Sequence, residues 1–430
     1  MRFYFFLIAL FACATAGAAQ HEQNALPVPS SAAQRLYSSA KSDLLQLRVL
    51  LKNGRTQSSV GSGFLVGTSN LVVTNYHVIS QIALEPEIYT GEYVDTYGKR
   101  GAVELLAVDV LHDLALVRIN RNGSGFFNVP EQISPLTQGQ YLYSLGNPLD
   151  LGFAISEGAY NGIVSRSFYD QLMFTGPINA GMSGGPSVTV DGRVAGVNVA
   201  RRLDGELVSF LVPVRYVSEL LKKFSGTPPG DFKPVVAQQL LLHQKAMMDR
   251  LANTPLIYKD LTPYRVPVWE SEQVRCWGSS NSKLDLPYQM DQVNCSMESA
   301  VFVSSQIETG QIAIHYRRLQ SAKLGLLPFS ALSSKLFKQQ ALGGSKDLRL
   351  TAPQCIEQFV SNGKLPMRAV LCVRAYRQFP ELYNFSLLTA STDDSRMSLQ
   401  GRVDANGVSY QNGLRISRIF LDSVSRERKL

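Results

Sequence analysis

Between residues 44 and 220 the chain breaks into short runs of alternating apolar and polar side chains, with Gly, Asn or Asp between them. The runs are Leu44–Leu51, Gly63–Val66, Leu71–Thr74, Val103–Val108, Leu114–Ile119, Tyr141–Leu145, Phe153–Ser156, Gly162–Ser165, Gln171–Phe174, Val188–Val190, Val194–Ala200 and Leu207–Val212. A period of two puts successive side chains on opposite faces of an extended strand. No helical pattern lies between the runs, so they predict an all-β barrel or sandwich. Asp191-Gly192 joins two of them and suits the left-handed backbone of a tight hairpin turn. One helix is expected at Val214–Phe224, where Val217, Leu220, Leu221 and Phe224 share a face.

Gly226-Thr227-Pro228-Pro229-Gly230 reads as a linker. With 430 residues, the chain divides into a first domain at 36–225, a linker at 226–234 and a C-terminal domain at 235–430. The second domain opens with a predicted helix at about 235–252 and is then β-rich, an α+β unit of no recognisable type. Val301–Ser304, Gln306–Thr309 and Gln311–Tyr316 suggest one hairpin in it. Ser398–Val403 and Val408–Tyr410 suggest another, with Asp404–Gly407 as its turn. The net charge of +8 belongs to this half, since residues 19–226 are close to neutral. The charges are scattered, which fits solubility and leaves an anionic surface or partner open.

Met1–Arg2, the apolar run Phe3–Ala12 and Ala16-Gly17-Ala18 read as a secretory signal over residues 1–18. The expected location is outside the cytoplasm, periplasmic or secreted. A lipid anchor on Cys13 is the alternative. The remaining cysteines, Cys276, Cys295, Cys355 and Cys372, form an even set, which in an exported chain favours disulfides. Three connectivities are possible. The pairs Cys276–Cys295 and Cys355–Cys372 are preferred because each flanks a loop between strand-like segments. Residues 19–275 contain no cysteine. There is no H-E-x-x-H motif, zinc spacing or phosphate loop, and neither a metal, a cofactor nor a nucleic-acid partner is expected.

Three segments carry chemistry. They are Thr74-Asn75-Tyr76-His77-Val78, His112-Asp113-Leu114-Ala115-Leu116-Val117, and Ile178-Asn179-Ala180-Gly181-Met182-Ser183-Gly184-Gly185-Pro186. A serine hydroxyl needs a neutral imidazole to take its proton, and the imidazole needs a carboxylate to hold its tautomer. The developing oxyanion needs backbone N–H donors, for which Gly181 and Ser183 are the candidates. Asp109 is a rival for Asp113, but only Asp113 directly precedes an alternating strand. His112 is expected to face the other way, at the surface. His243 and His315 have no supporting motif.

With these segments, the chain resembles the trypsin-like serine proteases, in particular their HtrA/Deg branch. Gly61-Ser62-Gly63-Phe64, Gly146-Asn147-Pro148, Gly162-Ile163-Val164-Ser165 and Phe210-Leu211-Val212-Pro213 extend the match over residues 40–224. The resemblance implies two six-stranded barrels with the site between them. It also implies His77 as base, Asp113 as its orienter, Ser183 as nucleophile and polypeptides as substrates. Pro177, Ile178, Val197, Asn198 and Phe210 would line the substrate pocket. No acid stands near Gly176-Pro177-Ile178, which favours cleavage after small or medium apolar residues. Met182 stands where an Asn or Asp is usual, and no PDZ module follows residue 224. Gly181-Met182-Ser183-Gly184-Gly185 also fits the nucleophile elbow of an esterase, but Pro186 and a hairpin follow where that fold needs a helix. A protease fold without activity is the remaining alternative.

Overall fold

The computed structural model describes residues 30–130, 135–201, 207–282, 285–305, 307–340, 349–362 and 365–427. The signal segment and Cys13 lie outside them. Two closed six-stranded antiparallel barrels form the N-terminal half. In the first, the strands run in the spatial order Leu44–Leu51, Gln57–Leu65, Leu71–Thr74, Leu114–Arg118, Arg100–Asp109 and Tyr89–Asp95. In the second the order is Pro186–Val188, Val194–Arg201, Ser209–Pro213, Leu172–Phe174, Ala154–Ile163 and Tyr141–Gly146. Closure removes exposed sheet edges, which explains how a cysteine-free half holds together on its core alone. That core runs from one barrel into the other through Leu44, Phe64, Val73, Leu116, Leu145, Val188 and Val197.

Several elements were not legible in sequence. Helix Ser31–Ala40, capped by the Ser30 hydroxyl accepting from Ala33 N–H, buries Ala33, Leu36 and Ala40 on that shared core and begins before residue 36. Strand Tyr89–Asp95 and helix Tyr76–Leu84 were also missed. The two runs Phe153–Ser156 and Gly162–Ser165 are replaced by one strand, Ala154–Ile163. Helix Val214–Lys223 matches its expectation within a residue.

The C-terminal half is β-rich. A seven-stranded antiparallel sheet has the order Val274–Ser280, Gln289–Met297, Gln311–Gln320, Met397–Val408, Tyr383–Ser391, Pro366–Ala375 and Gln354–Ser361. Helix Tyr410–Ser423 lays Ile416 and Phe420 on it, with the Phe420 ring stacked on Tyr316 at 5.1 Å. The expected turn at Asp404–Gly407 does not form, because Met397–Val408 is one continuous strand. Asp404 pairs with Ala313 on one side and Ser386 on the other, and its carboxylate accepts two bonds from Arg402. Two ladders outweigh the local turn preference. Val301–Ser304 pairs with Ile307–Thr309 as a separate small hairpin, while Gln311–Gln320 joins the large sheet instead.

Both disulfides are the expected ones, Cys276–Cys295 and Cys355–Cys372. Each joins residues directly opposite one another, and each ties an edge strand of the seven-stranded sheet to its neighbour. An edge strand is held by one ladder only, so this is where a crosslink constrains most.

The halves are not separate bodies on a tether. Helix Lys233–Asn253 buries Val236 and Leu240 in the core of the first barrel. Two turns further it buries Met247, Met248 and Leu251 in the core of the C-terminal half. Phe168, from a loop of the second barrel, enters that same C-terminal core beneath the Arg250 guanidinium.

Candidate active site

His77 stands in the first turn of helix Tyr76–Leu84, directly after the strand Leu71–Thr74. Its Nδ1 lies 2.6 Å from Asp113 Oδ2, and its backbone N–H donates to Asp113 Oδ1 at 2.8 Å. Asp113 holds a left-handed φ of 55°, which Asp tolerates better than most residues. Asn75 Nδ2 clamps the Asp113 carbonyl at 2.8 Å. Burial acts to lower the His77 pKa, but the charge of Asp113 and the bond to it act to raise it, and the net shift is upward from 6.5.

Ser183 sits in the loop between the second barrel's strands, and its carbonyl accepts from Ser62 N–H at 2.7 Å. Its hydroxyl donates to Val199 O at 3.1 Å, and no hydrogen bond joins it to His77 among the described residues. The loop turns on glycines that no other residue can replace. Gly184 has φ +85°, and a Cβ there would meet Ser62 O at 2.2 Å. Gly181 has φ +90°, and its Cβ would meet Asn147 O at 2.4 Å. The Ala180 carbonyl accepts from Leu149 N–H at 2.7 Å. Across that planar trans peptide the Gly181 N–H points the opposite way. Neither the Gly181 nor the Ser183 N–H donates to a backbone carbonyl among the described residues.

What holds the loop was only partly readable in sequence. Ser62, fully buried, donates its hydroxyl to Gly181 O at 2.7 Å and accepts from Asn147 N–H at 2.9 Å. Asn198 accepts from Ser144 and Ser187 and donates to Leu145 O and Met182 O. Met182 itself is an apolar anchor, packed with Ile178, Phe174 and Leu211. The loop is therefore fastened by a buried amide and a thioether rather than by an ion pair.

The expected pocket residues separate. Pro177 is exposed, and Ile178 is buried beside Met182. Val197 and Asn198 are both fully buried, Val197 in the apolar core shared by the barrels and Asn198 in its hydrogen bonds to Ser144, Ser187, Leu145 and Met182. The strand meets Ser183 through the Val199 carbonyl instead. Phe210 lines a cavity with Phe168, Tyr169, His243 and Val301, between the second barrel and the C-terminal half.

His112 also differs from its expectation. It is not a surface group: it bonds Asp109 at 2.7 Å and stacks on Tyr216 with ring centroids 3.6 Å apart. The rival dyad Asp109–His112 is thus a packing feature beneath helix Val214–Lys223. His243 is buried against Phe168, accepts or donates at Tyr169 Oη over 2.9 Å, and burial pushes its pKa down to about 4.

Residues 61–197 match the trypsin-like peptidase domain. The serine protease HTRA4 of Homo sapiens is 32% identical over 177 residues, which cover 38% of this chain and 34% of that protein. The mitochondrial serine protease HTRA2 of Drosophila erecta is 29% identical over 175 residues, 39% of this chain and 40% of that protein. A serine endoprotease from Yersinia pestis has a TM-score of 0.39 at 22% identity, over 46% of this chain and 69% of that one. The chain thus spans about a third to two fifths of the length of these curated relatives. With two closed barrels around a His–Asp pair and a serine loop, the N-terminal half of this chain is a trypsin-like peptidase domain of the HtrA/Deg-like kind.

Proposed function

We propose that the protein is an exported serine endopeptidase that cleaves polypeptides through an acyl-enzyme on Ser183. The observation that carries this reading is the pair of bonds from Asp113 to His77, one to the ring and one to the backbone. Asp113 holds the Nδ1–H tautomer, which leaves Nε2 as the basic nitrogen. Catalysis by this route requires the Ser183 hydroxyl to leave Val199 O for that nitrogen. Loose serine–histidine geometry before substrate binds is common in such sites. As Ser183 attacks the scissile carbonyl its proton passes to His77, and the leaving amine takes that proton as the tetrahedral intermediate collapses. Water then repeats the sequence on the ester. The N–H groups of Gly181 and Ser183 are the candidate oxyanion donors.

Of the expected pocket residues, the exposed Pro177 remains the proposed contact for the residue before the cleaved bond. The absence of an acid in Gly176-Pro177-Ile178 favours a small or medium apolar side chain there. Export to the periplasm or beyond fits the two disulfides, and no described helix is long and apolar enough to cross a membrane.

The Ser183–Val199 bond is the one observation that favours a second reading, a protease fold at rest or without activity. Labelling by a fluorophosphonate probe separates the two. Wild type should label and digest unfolded protein, and Ser183→Ala, His77→Ala and Asp113→Asn should lose turnover by roughly 10⁴-fold. Full proteolysis by purified Ser183→Ala would sink the proposal.

A further inference from the structure

We propose that the C-terminal half completes the active site: Phe302, on the small hairpin Val301–Ser304/Ile307–Thr309, is a positioning residue for His77 and a wall of the substrate cleft beside it. This rests on the reading of His77, Asp113 and Ser183 as the catalytic set. The Phe302 ring meets the His77 ring edge to face, with centroids 5.8 Å apart at 68°. It meets the preceding Tyr76 ring at 6.2 Å and 74°. These are favoured aromatic geometries.

The contact is built rather than incidental. Val301 and Val303, on either side of Phe302, are 4% and 1% exposed and belong to the core of the first barrel, with Tyr76, Val78 and Ile79. Phe302 itself is half-buried and packs against the edge of the same core, where its ring reaches Tyr76 and His77. Tyr76, itself fully buried, donates its hydroxyl to Val303 O at 3.1 Å, so the hairpin is bonded to the residue next to His77. Ile307 on the second strand is buried in the same core. His77 has Asp113 on its Nδ1 side and Phe302 against its ring. With 27% of the His77 side chain still open and Phe302 half-buried, both rings keep exposed surface that a bound substrate could meet.

Two consequences follow from the chemistry. The ring restricts the imidazole to the orientation that Asp113 bonds, and it keeps water from one side of it. It also offers an apolar face to whatever substrate side chain crosses His77, which selects polypeptides with an apolar or aromatic residue at that one position next to the scissile bond.

The test uses the full chain. Phe302→Ala should lower kcat/KM by roughly 3- to 10-fold, mostly in kcat, the range such an aromatic contact is worth. It should broaden cleavage-site preference at a single position. The rising limb of the pH profile should move to higher pH, because water admitted beside His77 favours the charged imidazolium over which Asp113 is the bonded counter-charge. Phe302→Tyr should restore all three readouts. Phe302→Leu keeps the apolar volume and should fold even where Ala does not; it should leave the pH profile near wild type yet still lower kcat and change the preference. Phe302 variants with wild-type kcat, pH profile and site preference would overturn the inference, and so would a Phe302→Ala enzyme more active than wild type, which would make the ring a cover. A wild type that fluorophosphonate does not label overturns the catalytic reading and this inference together. A labelled wild type with indifferent Phe302 variants overturns this inference alone.

Discussion

The Ser62 hydroxyl donates to the Gly181 carbonyl at 2.7 Å, across the boundary between the two barrels. The same oxygen accepts from Asn147 N–H, so one buried side chain of the first barrel fixes two loops of the second. Ser62→Ala leaves a buried carbonyl and a buried N–H without their partner, at a cost of about 1–3 kcal/mol. The expected outcome is a folded protein of lower thermal midpoint whose kcat falls roughly 10-fold while KM changes little, since the loop that would hold the oxyanion donors is loosened. Steady-state kinetics against an unfolded substrate check this. A loss confined to KM would contradict it.

Activity should rise with pH through the titration of His77. The neutral imidazole is the base, and the Asp113 charge and bond outweigh burial to raise its pKa above 6.5. The midpoint of the kcat/KM profile is therefore expected on the alkaline side of 6.5. Asp113→Asn removes the raising contributions and leaves burial, so the residual activity should titrate at lower pH. A wild-type midpoint below 6 would count against the assignment.

His243 sets an acid limit on stability. Burial holds its folded-state pKa down at about 4, against 6.5 for the free side chain. Below 6.5 the unfolded chain binds the proton more readily than the folded one, so stability is full above that pH and is lost as pH falls toward 4. The loss is on the order of 3 kcal/mol over that window. His243→Gln, which can still bond Tyr169, should flatten the pH dependence of denaturant unfolding between pH 6.5 and 4. Parallel wild-type and variant curves would refute this.

The disulfides pin the two edges of the seven-stranded sheet. By the chain-entropy estimate, closing loops of 19 and 17 residues contributes about 3 kcal/mol each. Reductant should therefore expose Val274–Ser280 and Gln354–Ser361 to proteolysis first. The barrels should hold, and so should helix Lys233–Asn253 and the Phe302 hairpin, which are anchored in the first barrel's core. Mass mapping of early cuts in dithiothreitol decides it, and first cuts inside either barrel would be the contrary result.

Period-two alternation and turn residues were enough to read most of the barrel strands from sequence, and the preference for local pairing, one of three open connectivities, agrees with both disulfides. Those signals are local: a strand face, a glycine turn and a loop closed by neighbouring cysteines all act within a few residues. The continuous strand through Asp404–Gly407 escaped that reading because two ladders formed with distant residues override a turn preference. Helix Ser31–Ala40 and the packed His112 escaped it for a related reason, since each is defined by the surface it covers. His77, Asp113 and Ser183 could be named from motifs. Only the tertiary structure decided that Ser62 and Asn198 fasten the serine loop, that Val197 and Asn198 face the core, and that Phe302, 225 residues beyond His77 in the chain, lies against its ring. No periodicity or motif encodes such contacts, because long-range packing depends on how whole elements dock, and that follows from the burial of the complete apolar surface rather than from any one segment.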